Sequence, residues 1–175
     1  MALTRIGLNQ SINLASNVTG TLPIANGGTA LTSGFVNGGV NTPSFLVRKN
    51  GDFGTVSAST WTKITGWAEI FDPQSTFASD KFTPGVAGKY FIYGYVYLLG
   101  ISGERFLVGL YKSGTRFVES GSMASAANNY PQLVCGYADL NDTDYIELYF
   151  NSAGGSSNAY SSGITVQWGG YKIIE

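Results

Sequence analysis

The chain has 175 residues, of which 43% are apolar, 14% aromatic and only 12% charged, with a net charge of −1 and no histidine. Without imidazole there is no Ser–His or Cys–His nucleophile pair and no His-ligated zinc. The scattered Lys and Arg form no basic patch that could replace phosphate counterions, so nucleic acid is not an expected partner.

Other absences narrow the reading further. No run of about 18 apolar residues exists, so no membrane-inserting helix is expected. Cys135 is the only cysteine, which excludes an intrachain disulfide. The N-terminus shows no basic region followed by an apolar block, and synthesis in the cytoplasm is expected.

The first 24 residues place Ile6, Leu8, Ile12, Leu14, Val18, Leu22 and Ile24 all on even positions. Period two is the repeat of a β-strand, but the run is about four times a typical strand. Fully extended, 20 residues reach roughly 65 Å. One apolar edge on one long chain has nothing of its own to bury against, and identical copies are the simplest cover. Residues 1–42, with Arg5 as the only charge, therefore read as an extended, fibre-like segment whose aliphatics, including Ile6, Leu8, Ile12 and Leu14, meet between copies. Asn26-Gly27-Gly28-Thr29 marks a turn, and a second Gly-rich stretch leads to a boundary near Asn41–Pro43.

Residues 43–175 read as short strands separated by turn clusters, the all-β pattern. Expected strands are Ser44–Lys49, Thr60–Ile64, Trp67–Phe71, Lys89–Leu99, Arg105–Lys112, Arg116–Ser120, Gln132–Asp139, Tyr145–Asn151 and Ile164–Ile174. Nine or ten strands without a helix suggest two packed sheets. The Lys89–Leu99 strand is apolar on both faces: Tyr90, Ile92, Gly94, Val96 and Leu98 line one, and Phe91, Tyr93, Tyr95, Tyr97 and Leu99 the other. An antiparallel sandwich normally turns one face to water, so this second face needs a cover. Tyr and Phe are enriched at interface centres, and Tyr93, Tyr95, Tyr97, Trp168 and Tyr171 are the expected contacts of a trimer. The alternative is a monomer that packs these rings in its own core.

Two loops offer Asn amides beside an aromatic ring, a combination suited to sugars: Asn128, Asn129 and Tyr130 in one, Asn158 and Tyr160 in the other. Asn and Ser are also ordinary turn formers. No cofactor is expected. Asp139, Asp142 and Asp144 are weak calcium candidates, since a hard cation needs six to eight oxygens and a solvated acidic turn is the simpler reading. Cys135 reads as a small core residue, and Trp61 and Trp67 as packing at the sandwich edge.

Residues 19–30, Thr-Gly-Thr-Leu-Pro-Ile-Ala-Asn-Gly-Gly-Thr-Ala, resemble a segment that recurs in bacteriophage tail fibres, commonly Gly-x-Leu-Pro-x-x-Asn-Gly-Gly-Thr-Gly; Ala30 departs from it. Residues 43–175 resemble the globular head of the complement-one-q and tumour-necrosis-factor superfamily. That resemblance rests on Thr60-Trp61-Thr62-Lys63, Glu69-Ile70-Phe71-Asp72, Lys81-Phe82-Thr83-Pro84, Gly88-Lys89-Tyr90-Phe91-Ile92 and Leu110-Tyr111-Lys112-Ser113-Gly114. It continues through Asp144-Tyr145-Ile146-Glu147-Leu148 and Trp168-Gly169-Gly170-Tyr171-Lys172. Thr143 stands where that family usually has Gly, and Trp168-Gly169 where Phe-Ser is common. The resemblance implies a jelly-roll β-sandwich that assembles as a homotrimer, with Lys89–Leu99 and Ile164–Ile174 in the inner sheet around the threefold axis.

Together these features lead to the expectation of a trimeric bacteriophage fibre or spike protein that is not an enzyme. Its first segment would join other virion proteins, and its head would bind a bacterial surface glycan or protein. The alternative is a structural virion component, such as a baseplate or capsid-decorating trimer, with no receptor to bind.

Overall fold

The structure, a computed structural model, describes residues 41–49, 51, 56–100, 102–154, 159–160 and 166–173, without the side chains of residues 99, 100, 129, 159 and 160. The expected fibre contacts Ile6, Leu8, Ile12 and Leu14, and the loop residue Asn158, lie outside the described residues. Asn41–Ile174 forms one compact unit.

Twelve strands and no helix make up the described residues. They are β1 (Ser44–Lys49), β2 (Thr62–Lys63), β3 (Trp67–Phe71), β4 (Phe77–Ala78), β5 (Lys81–Phe82) and β6 (Gly88–Gly100), then β7 (Arg105–Lys112), β8 (Thr115–Met123), β9 (Asn128–Leu140), β10 (Ile146–Ser152), β11 (Ala159–Tyr160) and β12 (Gln167–Lys172). The first sheet runs β9–β6–β12–β1–β3, and β11 lies beside β6 in line with β12. The second runs β4–β5–β10–β7–β8, with β2 also on β10. Every pairing is antiparallel.

Alternation decides what lies between the sheets. Tyr90, Ile92, Val96 and Leu98 of β6 point inward and are buried, as are Val108 and Leu110 of β7 and Ile146, Leu148 and Phe150 of β10. Gly94 has no side chain, and Leu148 from the facing sheet fills the space: a Cβ at Gly94 would lie 2.8 Å from its methyl. Such interdigitation brings a sandwich core to the packing density of a crystal.

Trp168 is a correction to the expected interface set. Its register partners are Gly94 and Val47, both inward positions, and it is fully buried. Its indole meets Phe45 at 5.2 Å and Phe77 at 5.1 Å edge to face, and Trp67 at 5.8 Å. Its Nε1–H is buried without a hydrogen-bond acceptor. Cys135 is the opposite correction. It pairs with Tyr93 on the outward face of β9 and is exposed.

Candidate interaction face

The outward face of the first sheet gathers the side chains that the sequence left without cover. Cross-strand register arranges them in transverse rows. One row reads Ser44, Tyr171, Phe91 and Tyr137; the next reads Phe71, Leu46, Gly169, Tyr93 and Cys135; a third reads Arg48, Gln167, Tyr95 and Leu133. Tyr97 follows beside Pro131. Tyr137, Leu133, Phe71 and Tyr171 are 72%, 54%, 51% and 40% exposed, so this surface remains open in the single chain.

The rings touch one another. Phe91 lies 5.5 Å from Tyr137, 5.8 Å from Tyr171 and 6.4 Å from Tyr93, centroid to centroid. Tyr95 and Tyr97 meet edge to face at 5.6 Å, and the Tyr95 hydroxyl donates to the Tyr97 oxygen at 3.4 Å. That bond, with smaller contributions from burial and from Tyr97's charge, raises the Tyr95 pKa; burial raises that of Tyr93. Both phenols stay neutral at physiological pH, and a neutral aromatic face is cheap to remove from water.

Gly169 sets the height of this surface. A Cβ there would stand 3.0 Å from the Tyr93 hydroxyl and 2.9 Å from the Phe45 carbonyl oxygen. The missing side chain lets the Tyr93 ring lie across β12. Next to it, Gly170 points inward and leaves room for Ile92, whose methyl would be 2.5 Å from a Cβ. The Trp-Gly-Gly run thus serves the core with its first and third residues and the outward face with its second.

The five expected interface aromatics are therefore divided. Tyr93, Tyr95, Tyr97 and Tyr171 share the outward face, whereas Trp168 faces the core. Sequence reasoning missed Tyr137, Leu133, Phe71 and Leu46 on the same face. The signal was available for β9, where Leu133, Cys135 and Tyr137 alternate with Val134, Gly136 and Ala138, but both sets are apolar and neither is marked as outward.

The glycan candidates are placed differently from expectation. Asn128, Asn129 and Tyr130 open β9 rather than form a loop. The Tyr130 hydroxyl accepts from the Ala126 amide at 3.0 Å and donates to the Ala126 carbonyl at 3.1 Å, with Ser125 Oγ at 3.2 Å. Its ring packs on Phe106 at 5.3 Å. The bond with Ser125, then that with Ala126, lowers its pKa against a smaller opposing effect of burial. Tyr130 thus latches the β8–β9 connection instead of presenting a ring face. Tyr160 contributes a backbone pairing with Tyr97.

The acidic turn is occupied by internal bonds. Asp144 accepts from the Asn141 amide at 2.9 Å and the Ser113 hydroxyl at 2.8 Å, and pairs with Lys112 at 3.1 Å. The Asn141 bond, then Ser113 and Lys112, hold its carboxyl below the usual range against a smaller effect of burial. Asp139 sits on the outward face of β9, across from Lys89. Among the described residues no group of three His, Cys, Asp or Glu is placed to hold a metal, and no helix is long and apolar enough to cross a membrane.

No protein-family model and no curated protein matches the sequence. Solved structures do match the fold. The globular domain of zebrafish complement 1qA has a TM-score of 0.59 at 16% identity, covering 75% of this chain and 98% of that one. Murine APRIL gives 0.56 at 15% identity, covering 74% and 98%. The Eiger TNF of S. frugiperda gives 0.55 at 13% identity, covering 74% and 91%. The described strands of this chain thus form an all-β, two-sheet jelly roll of the complement-one-q and tumour-necrosis-factor type.

Proposed function

We propose that the chain is a homotrimeric attachment protein, the fibre or spike of a bacteriophage, that holds the virion to the host surface without catalysis. The observation that carries the reading is the open aromatic face of the first sheet, from Phe71 on β3 to Tyr137 on β9. A contiguous apolar surface of this kind marks a site of association, and Tyr-rich centres are typical of interfaces. Copies of the same chain are the partners this reading assigns. The alternating segment at residues 6–24 supports it, because an extended apolar edge also needs identical neighbours.

The phage assignment rests on the fibre-type run at residues 19–30. Residues 1–42 are read as the link to other virion proteins, and the head as the part that meets the bacterium. Three heads on one axis convert weak individual contacts into firm attachment, since linked sites raise avidity by about 10²–10⁴ over a single contact.

Light scattering on the purified full chain tests the assembly. The expected mass is three times the 18.6 kDa of one chain, and a single-chain mass at micromolar concentration overturns the reading. Binding of labelled trimers to a panel of bacterial strains tests the attachment role. Trimers that bind no strain point instead to a structural virion part.

A further inference from the structure

The outward face of the second sheet points away from the aromatic rows of the first, so contact between copies through those rows leaves it in water. Register sets out its side chains. The middle row reads Lys63, Tyr149, Gly109 and Glu119; on one side of it lie Asn151, Leu107 and Gly121, and on the other Glu147, Tyr111 and Arg116. Lys63 and Thr62 pair with Tyr149 and Phe150, which brings Trp61 level with Asn151. The Trp61 indole reaches from there to Gly109 and lies 5.8 Å from the Tyr111 ring, which in turn meets Tyr149. Trp61, Tyr111 and Tyr149 are thus three adjoining rings, each partly exposed.

The charged groups around these rings are held by one another. Arg116 pairs with Glu119 at 3.0 Å and Lys63 with Glu147 at 2.8 Å. Lys63 also donates to the Ser79 carbonyl at 2.9 Å, and the Tyr149 hydroxyl to Glu147 at 3.2 Å. Asn151 is different. It is 8% exposed, and its side-chain amide has no hydrogen-bond partner among the described residues. Asn is a poor strand former, and a buried amide without a partner costs folding free energy. Nothing in the described chain offsets either cost. The amide still reaches solvent, since Trp168 Nε1 is the one sealed side-chain nitrogen or oxygen without a partner among the described residues. Its two donors and its acceptor are therefore free beside the three rings.

We propose that this face is a saccharide-binding site, where a neutral sugar unit lays its C–H face on the Tyr149 and Tyr111 rings and bonds a hydroxyl to the Asn151 amide. The inference rests on the attachment reading above and names the class of ligand. Tyr149 and Asn151 are two residues apart on β10, roughly 7 Å, a distance that one sugar ring with its hydroxyls bridges. A pyranose complements the face: its flat C–H surface suits an aromatic ring, and its rim of hydroxyls both donates and accepts. A protein partner fits less well, because interface centres are depleted of charge and two ion pairs border these rings. An acidic polysaccharide gains little from cations already closed on carboxylates. Each contact is weak alone, and three sites per trimer add avidity.

The test uses full-length protein, fluorescently labelled and checked for trimer content by sedimentation, on arrays of neutral and acidic polysaccharides purified from a panel of bacterial strains. Asn151→Leu removes the amide while keeping the side chain's bulk, and Tyr149→Ser removes the ring. The expected result is binding of the wild type to a neutral polysaccharide, lowered at least about tenfold by either variant. Asn151→Leu is also expected to match or exceed the wild-type urea midpoint, as loss of an unpartnered buried amide requires. Wild-type binding by either variant overturns the proposal, as does a lower midpoint for Asn151→Leu or binding to acidic polysaccharides alone. Trimers that bind cells of the panel but ignore every neutral polysaccharide also overturn it, while leaving the attachment reading intact. Trimers that bind no strain remove both.

Discussion

The two sheets use the same alternation and present opposite outward faces. On the second sheet Trp61, Tyr145 and Tyr149 are each tied to a charge. Trp61 fills the hollow above Gly109, where a Cβ would be 3.0 Å from its ring, and carries the Arg116 guanidinium 4.5 Å from its centroid. Tyr111 meets Tyr149 at 4.1 Å with the rings tilted by 30°, and the Tyr149 hydroxyl donates to Glu147, which pairs with Lys63 at 2.8 Å. Arg116 also pairs with Glu119. On the first sheet the rings of Phe91, Tyr93, Tyr95, Tyr97, Tyr137 and Tyr171 have mainly each other. Aromatic content alone does not distinguish a solvent face from a contact face; the charges that hydrate the aromatics do.

The comparison breaks most visibly at Tyr95. A Tyr95→Asp variant places a carboxylate in the apolar rows and is expected to reduce the light-scattering mass from three chains to one. Thr115→Asp, on the exposed start of β8, is expected to leave the mass unchanged. Equal masses for wild type and Tyr95→Asp would remove the contact role of the first sheet.

Trp168 probes what both faces share. Trp168→Ala is expected to cost about 3–5 kcal/mol, read as a lower urea midpoint, without a selective effect on association. A loss of the assembled mass with the folding midpoint unchanged would return Trp168 to the contact surface.

Alkaline titration separates the sheets more finely. Burial, with added repulsion from Glu147, pushes the Tyr149 pKa up to about 12, and burial alone pushes Tyr90 to about 12. A raised folded pKa means that the stability is complete below the unfolded value near 10 and is lost as pH rises from there through 12. Tyr149→Phe is expected to reduce that loss, measured as the change in urea midpoint between pH 9 and pH 12. An unaltered alkaline slope would show that Tyr149 ionises as freely in the folded chain as in the unfolded one.

The smallest effect is expected at the acid end. Asp144 has a depressed folded pKa, so its contribution is present above the unfolded value of 3.8 and disappears as pH falls through the lower folded one. Asp144→Asn is expected to flatten the fall in stability below about pH 4. An identical acid limb in the two proteins would remove the turn from the account.

Long strands were legible in the sequence and short ones were not. β1, β3 and β7 have the bounds that alternation and turn residues suggested, because Asn50-Gly51, Asp72-Pro73 and Ser113-Gly114 end them sharply. β4 and β5 span two residues each, too few to show a period. β9 starts four residues earlier than expected because Asn128, Asn129 and Pro131 look like a turn. Pro131 is tolerated because β9 is at the edge of its sheet, where a missing N–H interrupts no ladder. The Tyr row on β6 was legible as a face needing cover, since it is unbroken over five alternate positions. Trp168 was misassigned because Gly169 and Gly170 blank the alternation on either face. Cys135 was misassigned because β9 is apolar on both sides, so pattern alone cannot tell in from out.

Gly169 carries a consequence for how this protein can vary. One added methyl group would press on the neighbouring strand's backbone at Phe45 as well as on the tyrosine beside it, and turn a level plate into a ridged one. Sequence drift at that position would therefore lower the thermal resistance of an isolated head and disturb assembly at the same time.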